Sequence, residues 1–141
     1  MKLLDVNVWL AAAWRRHAKH RAAKVFVDAQ DAELAFCRVT EMALLRLMTN
    51  ASVMGTDVRT RRQAWDVLLR LRRDPRIRFL QEPPGLAPLW MAFSKRDDNS
   101  HLLWTDDYLA AFAQASDVEL VTFDRAIHDR YPSVRVVTLT S

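Results

Sequence analysis

The segment Lys2-Leu3-Leu4-Asp5-Val6-Asn7-Val8-Trp9-Leu10 sets one carboxylate inside an otherwise apolar run that reads as a buried first strand. A carboxylate leaving water for a protein interior needs pairing, hydrogen bonds or a metal. Asp5 is therefore expected at the end of the strand, facing a polar site. Whatever shares that site defines what the chain does.

The spacing of the remaining apolar residues predicts alternating strands and helices. After the strand Lys2 to Val6, helical material runs through Trp14 and a second helix spans about Ala18 to Ala29. A strand is expected at Glu33 to Cys37, then a helix from Thr40 to Met48 with Glu41 in its first turn, broken at Asn50 to Asp57. Arg59 to Arg73 reads as an amphipathic helix with Trp65, Leu68, Leu69 and the stem of Arg72 on one side and arginines on the other, ended by Asp74-Pro75. Ile77 to Leu80 is the next strand, and Pro83, Pro84, Gly85 and Pro88 mark a loop before a helix through Leu89, Trp90 and Phe93. Thr105 is a natural N-cap for a helix from Asp106 to Ala115. Val118 to Thr122 is a β-branched strand followed by Phe123-Asp124, and a short helix from Arg125 to Arg130 precedes a last strand, Val134 to Leu139. This alternation implies an α/β fold with a mostly parallel sheet covered on both faces. With 141 residues, no internal repeat and no linker, residues 1–141 are expected to form one domain.

Composition removes several functions. Only Gly55 and Gly85 are present, so neither a phosphate-binding P-loop nor a GxGxxG dinucleotide loop can be written. Cys37 is the sole cysteine, which excludes an intrachain disulfide, suits a reducing cytoplasm and reads as a small buried hydrophobe. No stretch approaches the ~20 apolar residues of a membrane span. The net charge of +4 is concentrated: Asp57 to Arg78 holds eight arginines against three aspartates, and Arg15, Arg16, Lys19, Arg21 and Lys24 form a second cluster. Such clusters are either solvated helix faces or a surface for a polyanion.

Four acids fall where parallel sheets place ligands, beyond the carboxyl ends of the strands. Asp5 ends the first strand, Glu41 opens the helix after the second, Asp106 opens a later helix and Asp124 follows the fourth apolar strand. Acids in a first helical turn also serve as plain dipole partners, which suffices for Glu41, Asp106 or Asp124 taken singly. If all four converge, repulsion destabilises the site unless protons or cations neutralise it, and hard oxygen donors select Mg²⁺ or Mn²⁺ over zinc.

Leu4-Asp5-Val6-Asn7, Thr40-Glu41, Thr105-Asp106-Asp107-Tyr108-Leu109-Ala110-Ala111 and Val121-Thr122-Phe123-Asp124-Arg125, in this order and spacing over essentially the whole chain, resemble the PIN-domain ribonucleases, specifically the VapC-type toxins of bacterial toxin–antitoxin pairs. The resemblance implies a three-layer α/β/α sandwich that cleaves RNA with Mg²⁺ or Mn²⁺, leaving a 5′-phosphate and a 3′-hydroxyl. It implies Asp5 and Asp106 as principal metal ligands, Glu41 and Asp124 completing the catalytic pocket, and Asn7 and Thr122 orienting carboxylates or water. It also implies a cognate antitoxin and a homodimer. Asp107 departs from the small residue common at its position and reads as a solvent-facing first-turn acid.

Arg59, Arg61 and Arg62 are candidate RNA-phosphate contacts, with an acidic antitoxin segment as the competing partner. His17 and His20 lie among basic residues that disfavour a cation, so solvent exposure, substrate contact or helix entry is expected of them. Trp9, Trp14, Trp65, Trp90 and Trp104 are expected in core or dimer packing. Two other readings stay open: a non-toxin PIN-like nuclease of structured RNA or DNA, and a catalytically silent RNA-binding module.

Overall fold

Leu3 and Leu4 are both fully buried, yet they belong to different hydrophobic clusters, because successive side chains of a strand point to opposite faces. The same division separates Leu34 and Phe36 from Ala35, and Val121 from Leu120. A sheet with two buried faces follows, and the strands read as unbroken apolar runs for that reason. The computed structural model describes residues 1–140; Ser141, the last residue of the expected domain, lies outside the described residues.

The elements run β1 (Lys2–Leu4), α1 (Val6–Ala13), α2 (His20–Ala29), β2 (Leu34–Phe36), α3 (Arg38–Met48), α4 (Ala51–Met54), a 3-10 turn (Gly55–Asp57), α5 (Arg61–Leu71), β3 (Ile77–Phe79), α6 (Leu86–Ser94), α7 (Trp104–Ser116), β4 (Glu119–Thr122), α8 (Ala126–Arg130) and β5 (Val136–Thr138). The five strands form one sheet in the order β3-β2-β1-β4-β5. Every pairing among them is parallel, so the sheet is wholly rather than mostly parallel. Residues of α1, α2, α3 and α5 cover one face, where the Trp9 ring stacks on Phe36 with centroids 3.9 Å apart. Residues of α6, α7 and α8 cover the other. The outcome is the expected three-layer α/β/α sandwich.

β1 lies at the centre, with β2 and β3 on one side and β4 and β5 on the other. The direction of chain progression reverses there, so a crevice opens beyond the carboxyl ends of β1 and β4. Leu4 pairs with Val121 in that register, which brings Asp5 and Thr122 to the same rim.

Three local expectations give way to tertiary packing. Trp65 and Leu69 of α5 are exposed; the buried stripe is Ala64, Val67 and Leu68, so the helix is rotated from the orientation its largest side chains suggest. α7 begins at Trp104, one residue before Thr105, with Leu103 at the cap position and no side-chain cap bond. The break at Asn50 to Asp57 holds a short helix capped by Asn50, whose side chain accepts from the Ser52 amide at 2.9 Å.

Arg76 ties the edge strand β3 to the end of α2. Its guanidinium donates to the carbonyls of Val27 and Gln30, each at 2.8 Å, and to Asp74 at 2.7 Å. The bonds from Arg76 hold the Asp74 carboxyl below its ordinary range. Arg76→Ala is expected to lower stability by about 1–2 kcal/mol near neutral pH, since two carbonyls lose a charged donor. Because the pKa of Asp74 is depressed, its contribution is present above the ordinary carboxylate range and fades as acid protonates it. Thermal melts of both proteins from pH 7 down to pH 3 should show the gap narrowing; a gap that widens in acid would refute the assignment.

Candidate active site

Asp5 sits at the turn from β1 into α1 as the N-cap of that helix. One carboxylate oxygen accepts from the Val6 amide at 2.7 Å, and the other accepts from the Thr122 hydroxyl at 2.8 Å. The Thr122 oxygen in turn accepts from the Asn7 side-chain amide at 3.2 Å and from the Asp124 backbone N–H at 3.0 Å. Its single proton is thus committed to Asp5, and its lone pairs to the other two groups. Asn7 Oδ1 accepts from the Phe123 amide at 3.3 Å, closing a second link between α1 and the end of β4. Asp124 Oδ1 accepts from the Ala126 amide at 2.9 Å, opening the turn into α8.

Asp106 comes to this rim from the first turn of α7. Burial and the neighbouring Asp5 carboxylate push its pKa up to about 6, with Asp124 and Asp107 adding to the rise and Arg130, 3.3 Å away, opposing it. Asp5 is likewise raised, by burial first and then by Asp124, against the bonds from Thr122 and Val6. Three carboxylates therefore share one electrostatic environment.

Glu41 is held differently. It is buried in the first turn of α3, with one oxygen 2.9 Å from Arg38 and the other paired with Arg72 of the loop after α5. Among the described residues, no three His, Cys, Asp or Glu side chains stand close enough together to hold a metal ion as they are placed. The donor chemistry of Asp5, Asp106 and Asp124 nevertheless fits a hard divalent cation: all donors are oxygen, and burial, with repulsion added, has already raised two of the three. Binding would require these side chains to close on the ion.

The other predicted residues are distributed over the surface. Arg59 donates its amide to the Met48 carbonyl, and Arg61 lines a groove with Leu45, Arg46 and Thr49. Both therefore lie toward the C-terminal end of α3, about 10 Å along the helix axis from Glu41. Arg62 is exposed on α5, and the structure does not bring these arginines to the acids. His20 Nδ1 meets the Ala11 carbonyl at 2.7 Å and His17 Nδ1 accepts from the Lys19 amide at 2.9 Å, so both shape the entry to α2. Cys37 is buried, and burial pushes its thiol up, away from nucleophile chemistry.

Asp107 corrects the expectation of a solvent-facing acid. It is buried and accepts a short hydrogen bond from the Tyr131 hydroxyl. Consecutive helical residues point about 100° apart, so while Asp106 faces the rim, Asp107 turns under it toward α8. Burial and this bond hold the Tyr131 hydroxyl in its protonated, donating form.

The family model for the PIN domain matches residues 2–132. The chain belongs to the PIN-domain family. Ribonuclease VapC41 of Mycobacterium tuberculosis is 42% identical over 132 residues, spanning 89% of this chain and 90% of the relative. Ribonuclease VapC38 of the same organism is 32% identical over 133 residues, 90% of this chain and 87% of the relative. Among solved structures, Mycobacterium tuberculosis VapC20, a Sarcin-Ricin loop cleaving toxin, superposes with a TM-score of 0.73 at 14% identity, covering 99% of this chain and all of that one. VapBC2 from Rickettsia felis, bound to a DNA fragment from their promoter, gives 0.68 at 14% identity, covering 99% and 98%. At such identities the structures show a common fold, and the VapC relatives place the chain within the PIN family.

Within this PIN domain the residues that the pattern of acids does not reveal are cationic. Arg38 precedes Glu41 by three residues on α3, a spacing at which helical side chains meet, so its pairing had a local signal. Arg72 and Arg130 had none, since each reaches its acid across the fold. In the metal-free protein, the Asp106 carboxyl carbon is expected to titrate near pH 6 by ¹³C NMR. Asp5→Asn removes a negative neighbour and should move that titration downward. An Asp106 titration that Asp5→Asn leaves unmoved would mean that the two carboxylates do not interact.

Proposed function

We propose that this PIN domain is a cytoplasmic endoribonuclease that uses Mg²⁺ or Mn²⁺ to hydrolyse RNA phosphodiesters, and that it is the toxin of a toxin–antitoxin pair. The observation that carries the reading is the constellation at the β1–β4 rim: Asp5 fixed by Thr122 and Val6, with Asp106 raised to about 6 beside it. The similarity to proteins named ribonucleases, covering about nine-tenths of the chain, supports RNA as the polymer.

A divalent cation bound by Asp5, Asp106 and Asp124 would supply positive charge to a phosphoryl group and activate water. The chain's own contribution is positional. Thr122 and Asn7 fix the Asp5 carboxylate in one orientation, so its remaining lone pairs face the rim. Asp124 is anchored through its own backbone to the same hydroxyl. Arg38, Arg72 and Arg130 stand against Glu41 and Asp106, where an incoming phosphate competes for their charge. The arginine pairs on Glu41 also favour a second reading, a catalytically silent RNA-binding module, in which these cations serve the phosphate alone.

The antitoxin fits a different place. The groove between α3 and α5 exposes Met42 and Trp65 beside Arg46 and Arg61, an apolar strip with a basic rim that suits an acidic amphipathic segment. Exposed Val25 and Met91 leave apolar surface for a homodimer. Among the described residues, no helix is long and apolar enough to cross a membrane.

Asp5→Asn should reduce RNA cleavage by at least 100-fold while leaving the melting temperature within a few degrees. Mn²⁺ should raise the melting temperature of the unaltered chain and not of the variant. Undiminished cleavage in EDTA, or products ending in a 2′,3′-cyclic phosphate, would refute the metal-dependent reading. Charge reversal at Arg61 and Arg62 together is expected to weaken antitoxin affinity measured by calorimetry. Should antitoxin affinity hold while the salt dependence of RNA binding flattens by about two units, these arginines belong to the RNA path instead.

A further inference from the structure

Beside the acids, a cavity of about 400 Å³ opens between the loop after α6 and the first turn of α7. Its walls include Trp104, Arg96, Asn99, His101, Asp107 and Arg130. We infer that this cavity is a nucleobase subsite that takes one unpaired nucleotide of the RNA substrate, with the base stacked on Trp104. The inference rests on the ribonuclease reading and deepens it.

Trp104 is 55% exposed, an unusual state for the largest apolar side chain. Its indole is nonetheless braced. Trp90 packs edge-on against it with centroids 6.5 Å apart and donates its Nε1 hydrogen to the Trp104 carbonyl at 3.3 Å, while Trp90 itself rests edge-on against Tyr108 at 5.6 Å. An aromatic plate fixed from behind and open in front is what a single-stranded base uses for stacking, and every base has a face to offer. The volume suits one nucleotide-sized ligand.

The wall chemistry separates a nucleotide from a protein partner. A protein interface core is depleted of charge, whereas here one aromatic shares the wall with two arginines, an imidazole and three amide or carboxyl side chains. The acids of the wall are already engaged: Asp107 by Tyr131, and Asp98 by the Ser100 amide at 3.0 Å. Arg96 commits only its ε N–H, to the Phe93 carbonyl at 2.9 Å, leaving the rest of its guanidinium for a phosphate. Asn99 and His101 can both donate to and accept from a base edge.

Position supplies the link to chemistry. Trp104 and Asp107, three residues apart on α7, both line the cavity, and Arg130 lines it too while standing 3.3 Å from Asp106, so that guanidinium is shared between the cavity and the acidic rim. A base seated on Trp104 would set its sugar–phosphate toward Arg130, which borders the rim where Asp5 and Asp106 stand. The subsite would select an unpaired nucleotide next to the scissile bond.

The test uses single-stranded RNA oligomers carrying 2-aminopurine at successive positions, bound to the full chain with Asp5→Asn to prevent cleavage. One position is expected to lose most of its fluorescence on binding. Adding Trp104→Leu should restore that signal and weaken affinity about tenfold, whereas Trp104→Phe, which keeps a stacking face, should retain both. In the otherwise unaltered enzyme, Trp104→Leu should raise KM with a smaller effect on kcat. RNA binding with no position quenched through Trp104 overturns the subsite and leaves the ribonuclease reading standing. Trp104→Leu that abolishes self-association in sedimentation without changing RNA affinity also overturns it, assigning the face to a protein contact. An unaltered chain that neither binds nor cuts any RNA overturns the subsite and the ribonuclease reading together.

Discussion

The Thr122 hydroxyl joins the two strands on which the site is built. It donates to Asp5 at the end of β1 and accepts from Asn7 and from the Asp124 amide beyond β4. β1 and β4 are 117 residues apart in the chain, and their parallel pairing is what brings this oxygen to that carboxylate. Without the pairing, Asp5 is a charge exposed to an apolar layer. With it, the Thr122 bond joins the local one from the Val6 amide, and the two offset part of the desolvation that burial imposes.

Charge of the opposite sign has been distributed with the same economy. Asp106 and Asp5 share one rim and repel, a state that only a proton, a cation or a neighbouring guanidinium relieves; Arg130 relieves part of it. Glu41 is paired separately, with Arg38 and Arg72. Asp107, next to Asp106, is removed from the group by its bond to Tyr131. The rim thus keeps three acids within electrostatic reach of one another, and the other two are taken up by the surrounding fold. Such stored repulsion costs stability, which is the usual condition of a site meant to bind something positive.

Much of the fold was legible because the strands are short, apolar and separated by helices of strong periodicity. The misreadings have specific causes. In α5, Trp65 and Leu69 carry more hydrophobic area than Ala64, so a ranking by size turned the helix toward them; the core instead closes on Ala64, Val67 and Leu68. Thr105 has good capping chemistry, but the turn formed by 100–103 enters the helix earlier and bypasses it. The site acids were legible individually, since each stands at a strand or helix end. Their cationic partners were not, apart from Arg38 on the same helix.

By itself the sequence determined the order of elements, the two-sided burial of the sheet and the placement of Asp5, Asp106 and Asp124 at element ends, because periodicity and a charge within an apolar run are local properties. The resemblance to the PIN-domain ribonucleases supplied Asn7 and Thr122 beside them. Only the tertiary structure decided which acids meet and which are diverted. The strand order, the facing of Asp106 and Asp107 a hundred degrees apart on one helix, and the reach of Arg72 and Arg130 all depend on packing between distant segments. Neutralisation of a buried charge is a question of distance in space, and no local pattern along the chain encodes it.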